Sequence, residues 1–297
     1  MKNIGICMLT YKRPDWLSKA LLSVLSQEVD ADCQFSVVVI DNDPDASAAS
    51  TVAEISNRFP PRVRYFHEPQ KGIARARNRA LSEAQEFDFV CSIDDDEFAL
   101  PGWLRQLVQI QTETGADVVC GPVIPEFENA PEWVRKGGFF APKTHLNRAA
   151  IRWVATNNLI MKGEIARNYR FDTRFDKTSG EDTHFFERVR MDGKRFVWAA
   201  DAKVVEIVPA GRTTARWIID RARSTANRVT RTMLYLRPGL RTRIIRAGKA
   251  MGGLIVGAVT LPRGLFGFHY AVKSRALMAR GLGTFSALFN REHKYYD

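Results

Sequence analysis

At 297 residues with 45% hydrophobic side chains, the chain can bury a large core and runs past the length of one average domain, which excludes a disulfide-stapled miniature or a disordered chain. The formal charge is +11, but residues 209–297 hold 17 Lys and Arg against three acids, while residues 1–208 hold 27 against 30, so the excess positive charge is all C-terminal. Cys7, Cys33, Cys91 and Cys120 are widely spaced and form no Cys-x-x-Cys pair, which argues for reduced core residues rather than a zinc site or disulfide framework.

Met1-Lys2-Asn3 runs directly into the strand-length segment Ile4–Leu9, with no small-residue cleavage site behind it, so a cytosolic chain is expected. Further short apolar runs follow at Phe35–Ile40, Val63–Phe66, Phe87–Ile93 and Val118–Cys120, each with the look of a buried parallel strand. Helix-like stretches separate them: Trp16–Gln27 behind Pro14, Ala46–Arg58, Ile73–Ala84, and Gly102–Thr114 behind Pro101. This β-α alternation predicts a doubly wound sheet with its ligand at the carboxyl ends of the strands. From about Pro122 to Arg152 the pattern gives way to a Pro-, Trp- and Gly-rich segment, expected to be a functional loop or lid. A strand at Val154–Met161, a helix from Glu181 to Met191 and strands near Arg195–Trp198 and Lys203–Ile207 complete this part. Residues 213–289 read as helical and basic. Their apolar run Met251–Leu261, interrupted by Gly252-Gly253, is shorter than the roughly 20 residues that cross a bilayer, and is expected to lie in an interface or against a partner.

Polar residues gather at the predicted strand ends: Thr10-Tyr11-Lys12-Arg13, Asp41-Asn42-Asp43, and Asp94-Asp95-Asp96-Glu97. Four adjacent acids repel one another, and a fold keeps them at a strand end mainly where a cation neutralises them; a solvated acidic turn is the plainer alternative. Oxygen ligands without nearby Cys or His select Mg2+ or Mn2+, ions that bridge carboxylates to phosphates, so a diphosphate is the expected ligand. At Asp41 and Asn42, ordinary turn chemistry is an equal alternative. Helical spacing aligns Arg77 with Ala74, Leu81 and Ala84 on the face toward the sheet, where a guanidinium needs either a nucleotide or a structural ion-pair partner. Glu181-Asp182 opens a helix, where a carboxylate either serves the helix dipole or accepts a proton from an attacking sugar hydroxyl.

Leu9-Thr10-Tyr11-Lys12-Arg13-Pro14, Val38-Val39-Ile40-Asp41-Asn42, Gly72 through Arg77-Asn78, Ser92-Ile93-Asp94-Asp95-Asp96 and Gly180-Glu181-Asp182 occur in an order that resembles the family 2 inverting glycosyltransferases of GT-A fold, over about residues 3–210. Glu206-Ile207-Val208-Pro209, with Arg212, Trp217 and Arg221, is similar to the bacterial exopolysaccharide transferases of succinoglycan type. The resemblance implies an α/β GT-A catalytic domain over 1–210, with a nucleotide-binding half to 122 and an acceptor half from 123, and leaves 211–297 as a basic helical extension. It implies that Thr10, Tyr11, Arg13, Asp41, Arg77, Asp94 and Asp95 hold a UDP-sugar, that Asp96 with Asp94 binds Mn2+ or Mg2+, and that Asp182 is the base. Where many relatives carry a metal-binding His, this chain has Glu206, as an oxygen ligand or a partner for Arg212. Asn157, Asn158, Glu181, Trp133 and Trp153 are candidates for acceptor or donor-sugar contacts, with core packing as the alternative for the tryptophans.

The expected activity is metal-dependent inverting transfer to a saccharide acceptor, lipid-linked and reached from an anionic cytoplasmic membrane surface. Two rivals stand beside it. A nucleotidyltransferase would need a glycine-rich phosphate loop that residues 10–14 lack. A non-enzymatic adaptor would act through the basic tail on membrane or nucleic acid, a partner the enzyme reading does not expect.

Overall fold

The computed structural model describes residues 1–60, 62–176 and 180–290. Residues 177–179, on the approach to Glu181, and residues 291–297 of the basic segment lie outside the described residues.

The chain opens with β1 (Lys2–Thr10), α1 (Pro14–Leu25) and β2 (Cys33–Asp41). Val37 to Ile40 are all fully buried, as a strand covered on both faces requires. Pro14 starts α1 because its fixed φ suits the first helical turn, and Leu17, Leu21 and Val24 recur at helical spacing to bury one face. The alternation continues through α2 (Ala49–Arg58), β3 (Val63–His67), α3 (Ile73–Glu83), β4 (Phe89–Ile93), β5 (Glu97–Ala99), α4 (Trp103–Thr114) and β6 (Val118–Cys120). After β7 (Val123–Phe127) and α5 (Glu132–Gly137) come β8 (Asn158–Lys162), α6 (Gly163–Asn168), α7 (Glu181–Met191), β9 (Phe196–Trp198) and β10 (Val204–Val208). The helices α8 (Ala215–Leu236), α9 (Leu240–Thr260) and α10 (Phe268–Leu288) follow.

Seven strands form one sheet in the order β3-β2-β1-β4-β8-β6-β9, and β5-β10-β7 form a smaller one. The large sheet is mixed: β8 runs antiparallel to both β4 and β6, and starts at Asn158 rather than at Val154 as the apolar run suggested. From β1 the chain winds outward to β3, then returns to place β4 on the other side of β1, so the order reverses between β1 and β4. Such a reversal opens a crevice at the carboxyl ends of the strands. Parallel register sets Thr10 beside Asp41, and Ile93 faces Asn158 across the antiparallel pair. Apolar side chains cover both faces, one packing with α1, α2 and α4 and the other with α3, α6 and α7. All four cysteines are free and buried; burial pushes the Cys7 and Cys120 thiols up to about 12, which leaves them unreactive.

The chain divides into two compact units, one holding residues 1–124, 142–176 and 181–206, the other taking residues 125–141 with the C-terminal helices. In the second unit, Trp133 packs edge-on to Phe139 and Phe268 (5.7 and 5.1 Å between ring centres), and Phe140 stacks on Trp217 at 5.8 Å. Trp133, partly buried, therefore packs against the core of this unit, the second of its two readings. Thr214 caps α8 by accepting from the Trp217 amide at 3.2 Å. Residues Leu240–Phe266, α9 with a 3-10 turn after it, form one helical run of 27 residues, long and apolar enough by length and composition to cross a membrane. This corrects the expectation of too short a run: Gly252-Gly253 does not interrupt the helix, because Gly253 sits against the backbone of α10.

Candidate active site

The aspartate triplet leaves β4 at the reversal point, beside the end of β1. Thr10, the last residue of β1, donates its hydroxyl to Asp95 Oδ2 at 2.8 Å, and Arg13 Nη1 bridges Asp96 Oδ2 (3.0 Å) and Asp95 Oδ1 (3.4 Å). Burial pushes the Asp95 carboxyl up to about 6 against the opposing pull of Thr10 and Arg13. Asp94 is pushed up to about 7, first by burial; Arg77 opposes the rise, while Asp96, Asp95 and Glu206 add to it. Asp94, Asp95, Asp96, Arg77 and Glu206 are thus one electrostatic cluster.

Glu97, the fourth acid of the run read as a cation site, belongs to the same cluster although the family resemblance assigned it no individual role. It is 1% exposed and lies directly opposite Glu206 in the antiparallel β5–β10 pair, so both side chains leave the same face. Asn157 donates to Glu97 Oε1 at 2.7 Å, while Oε2 is buried without a hydrogen-bond partner. Burial, then the charges of Asp94 and Glu206, hold the Glu97 carboxyl well above the usual range. Among the described residues no group of three or more acids, histidines or cysteines forms a ready-made metal cage. The donors nevertheless suit Mg2+ or Mn2+, which take few protein carboxylates and complete their shell with water and substrate phosphates.

On the neighbouring element, Gly72 approaches Asp176 so closely that a Cβ would lie 2.6 Å from its carboxyl carbon. Asp176 accepts from the Ala74 and Arg75 amides (2.8 and 3.3 Å) and so caps α3 from a hundred residues away. The cap fixes the helix that carries Arg77. As its helical spacing implied, Arg77 is largely buried, and it pairs with Glu181 at the start of α7 and lies 5.5 Å from the Phe171 ring centre. Glu181, expected at the acceptor, is 4% exposed and turned to Arg77. Asp182, the expected base, is partly exposed, and its Oδ1 accepts from the Thr183 amide and hydroxyl (2.6 and 3.2 Å), which leaves Oδ2 outside this local turn. Burial lowers His184 to about 4, so this imidazole, packed against Phe175 at 5.1 Å, stays neutral near pH 7.

Two of the expected contact residues are held by hydrogen bonds within the fold. Asn158 is 1% exposed and its amide is fully committed: Oδ1 accepts from Trp103 Nε1 at 2.8 Å, and Nδ2 donates to the Pro122 and Ala202 carbonyls at 3.0 and 2.8 Å. It ties β8 to α4 and to the loop before β10, and cannot turn to an acceptor without abandoning three buried groups. Asp41 is also fully buried, accepting from the Asp43 and Ala48 amides (3.0 and 2.8 Å) and the Tyr65 hydroxyl (3.0 Å). Turn chemistry, one of its two readings, describes it. Asn42 braces the loop before α3, donating to Glu68 and Gln70 carbonyls and accepting from the Gly72 amide. Tyr11 keeps its place at the crevice rim, 36% exposed, with the Lys12 and Lys71 ammonium groups 5.7 and 5.2 Å from its ring centre. Trp153 is exposed and has the Arg152 guanidinium 5.3 Å from its ring. A hollow at the opposite end of the strands, where β1 and β4 begin, lined by Lys2, Asp88, Lys162 and Arg167, is no rival site. Its charges are spent on Asp117, on the Asn3 amide and on the Gln85 and Phe87 carbonyls.

Residues 5–179, which contain the triplet, Arg77 and the crevice, match the glycosyl transferase family 2. The chain belongs to glycosyl transferase family 2. As a family 2 member it carries a glycosyltransferase domain of GT-A fold, followed by a C-terminal helical region. It is 23% identical over 200 residues to the putative glycosyltransferase EpsH of Bacillus subtilis, covering 62% of this chain and 56% of that one. Over 107 residues it is 31% identical to the succinoglycan biosynthesis protein ExoW of Rhizobium meliloti, covering 36% of this chain and 33% of the relative. The chain thus matches about half the length of the first relative and a third of the second. Among solved structures, S. aureus TarS 1–349 superposes with a TM-score of 0.54 at 14% identity, over 98% of this chain and 92% of that one. Its complex with UDP-GlcNAc superposes at 0.56 with 15% identity, over 98% and 93%. At such identities the likeness is one of fold.

Proposed function

We propose that this family 2 member transfers a sugar from a UDP-sugar to a saccharide acceptor in bacterial exopolysaccharide synthesis, with inversion and with Mn2+ or Mg2+ bound, and that the acceptor is lipid-linked and met at the inner face of the cell membrane. The observation that carries the reading is the packing of Asp94, Asp95, Asp96, Glu97 and Glu206 at the β1–β4 reversal, beside Arg77. So many carboxylates in one place, Asp95 and Glu97 among them buried, call for a cation, and a cation there invites a diphosphate. The relatives' names point to polysaccharide assembly, and the TarS complex holds UDP-GlcNAc, in support of a UDP-sugar donor.

Asp96 and Asp94, with Glu206, would hold the cation, which supplies charge neutralisation of the departing diphosphate when bound. Arg77 faces the same leaving group, with Glu181 fixing its guanidinium. Asp182 accepts the acceptor hydroxyl's proton as that oxygen attacks the anomeric carbon, and the electrons of the broken sugar–oxygen bond leave with UDP; one displacement inverts the centre. Screening UDP-sugars with Mn2+ for UDP release tests the reading, with calorimetry of UDP and Mn2+ binding to Asp96→Ala alongside. Unchanged binding in that variant rejects the metal assignment, and the absence of release with any donor rejects the activity.

A further inference from the structure

The C-terminal helices leave an apolar surface uncovered. α10 lies between its neighbours: Asn227 of α8 donates to the Gly283 carbonyl and to Ser286 Oγ (3.2 and 2.8 Å), while α9 packs on another side. The α9 contact runs through small residues. A Cβ on Gly257 would lie 2.5 Å from Met278 Cγ and 2.7 Å from the Ser274 carbonyl oxygen, and one on Gly281 would lie 2.7 Å from the Ala250 carbonyl oxygen. Gly253 meets residues 277 and 281, Gly257 meets residues 274 and 278, so the two helices run antiparallel as a tight hairpin closed by the turn Leu261–Phe266.

The face of α9 turned away from α10 carries Ile244, Met251, Ile255 and Val259, all about half exposed or more. At the corner, Leu265 and Phe266 are 90% and 85% exposed, two adjacent large apolar side chains that extend the uncovered face of α9. Only 11% of the most apolar stretch is buried. Exposed basic residues accompany this face, Arg241 and Lys249 on α9, Arg263 in the turn, and Lys273 and Arg275 on α10, while Arg243 donates to the Leu288 carbonyl of α10 at 3.1 Å, and the sequence has no acid between Asp220 and Glu292. Length would let the run cross a bilayer, yet crossing would carry Lys273, Arg275 and Arg280 of the attached α10 into hydrocarbon, at several kcal/mol. Lying in the interface satisfies both the apolar face and the charges.

We propose that the α9–α10 hairpin is an in-plane membrane wedge that binds anionic lipid, with Leu265 and Phe266 entering the acyl boundary and the surrounding Lys and Arg meeting the headgroups. The proposal rests on, and specifies, the membrane side of the function above. The test is flotation of the full chain with preformed vesicles of phosphatidylglycerol and phosphatidylethanolamine, against phosphatidylcholine alone, for wild type and the Leu265→Ser, Phe266→Ser double variant. Wild type should bind the anionic vesicles and be partly released by high salt. The double variant should lose on the order of tenfold or more in partitioning while keeping UDP release with a soluble acceptor. Equal binding by the double variant, or wild-type indifference to anionic vesicles, overturns the wedge. A wild-type dimer that the double variant converts to monomer, without vesicle binding by either, assigns the face to a second copy and also overturns it. Loss of UDP release by wild type itself would instead count against the transferase reading, so the two failures are distinct.

Discussion

The crevice of the first unit and the outer face of α9 in the second depart from ordinary protein surfaces in opposite ways. At the β1–β4 reversal the chain crowds charge and buries part of it, with the buried Glu97 facing Glu206 across a strand pair and the buried Asp95 and half-buried Asp94 beside them. Along α9 it exposes Ile244, Ile255, Val259 and then Leu265 and Phe266. Buried charge and exposed apolar surface both cost free energy in the isolated chain, and in the functions proposed above each cost would be offset by a partner of the complementary kind, a cation with a diphosphate in one place and lipid in the other. Asn158 shows the contrast within the crevice itself: it is as buried as Glu97, but every polar atom of its amide is used. Asn158 is scaffold, whereas Glu97 keeps one buried oxygen without a hydrogen-bond partner.

The sharpest test of this division is Asp182→Asn. The amide keeps the shape of the α7 start but cannot take up the acceptor proton, so turnover should fall by about 10²–10⁴ with UDP affinity and circular dichroism unchanged; near-normal transfer would remove Asp182 from the chemistry. Arg77→Met should follow, costing about 3 kcal/mol in urea unfolding because Glu181 is left buried without its cation, and weakening UDP binding as well. A variant that unfolds like wild type would make the ion pair incidental. Asn158→Ala should cost about 2 kcal/mol through the stranded Trp103 indole N–H and two carbonyls, while the Michaelis constants for donor and acceptor stay within error. A raised acceptor constant would return Asn158 to the acceptor site.

A pH experiment probes the crowded acids. Asp94 titrates near 7 and Asp95 near 6 in the folded chain, against about 4 unfolded, so between those values the native state holds more protons and its stability falls as pH rises. The loss is complete above about 7, where a cation has most repulsion to relieve. The Tm increase produced by Mn2+ with UDP should therefore be larger at about pH 8 than at about pH 5, and an equal increase at both would separate the metal from these carboxylates. The smallest expected effect is on the other face: Ile255→Ser should change stability by less than about 0.5 kcal/mol, since the side chain is exposed. A larger loss would mean that something in the protein already covers α9.

Local chemistry made much of this molecule legible before any coordinates. The apolar runs of β1, β2 and β4 are long, sit between helical periods and end in polar residues, so the alternating α/β order and the crevice at the strand ends follow from the chain itself. The triplet, Arg77 and Glu181-Asp182 were visible for the same reason: charges placed where burial is expected need explaining, and the ordered motifs resemble one family. What only the tertiary structure decided is which polar atoms are already spent. Asn158 and Asp41 looked like ligand contacts because polar residues at strand ends are scarce, but hydrogen bonds to Trp103, Pro122 and Ala202, and to Asp43, Ala48 and Tyr65, come from parts of the chain no spacing rule connects. Glu97 was visible as the last acid of the run, but not that β10 would bring Glu206 opposite it. Gly252-Gly253 suggested a break in an apolar segment, whereas close packing against α10 keeps α9 continuous through it. Propensity and periodicity act within a few residues, while the satisfaction of a buried group depends on whatever the fold delivers to it from a distance.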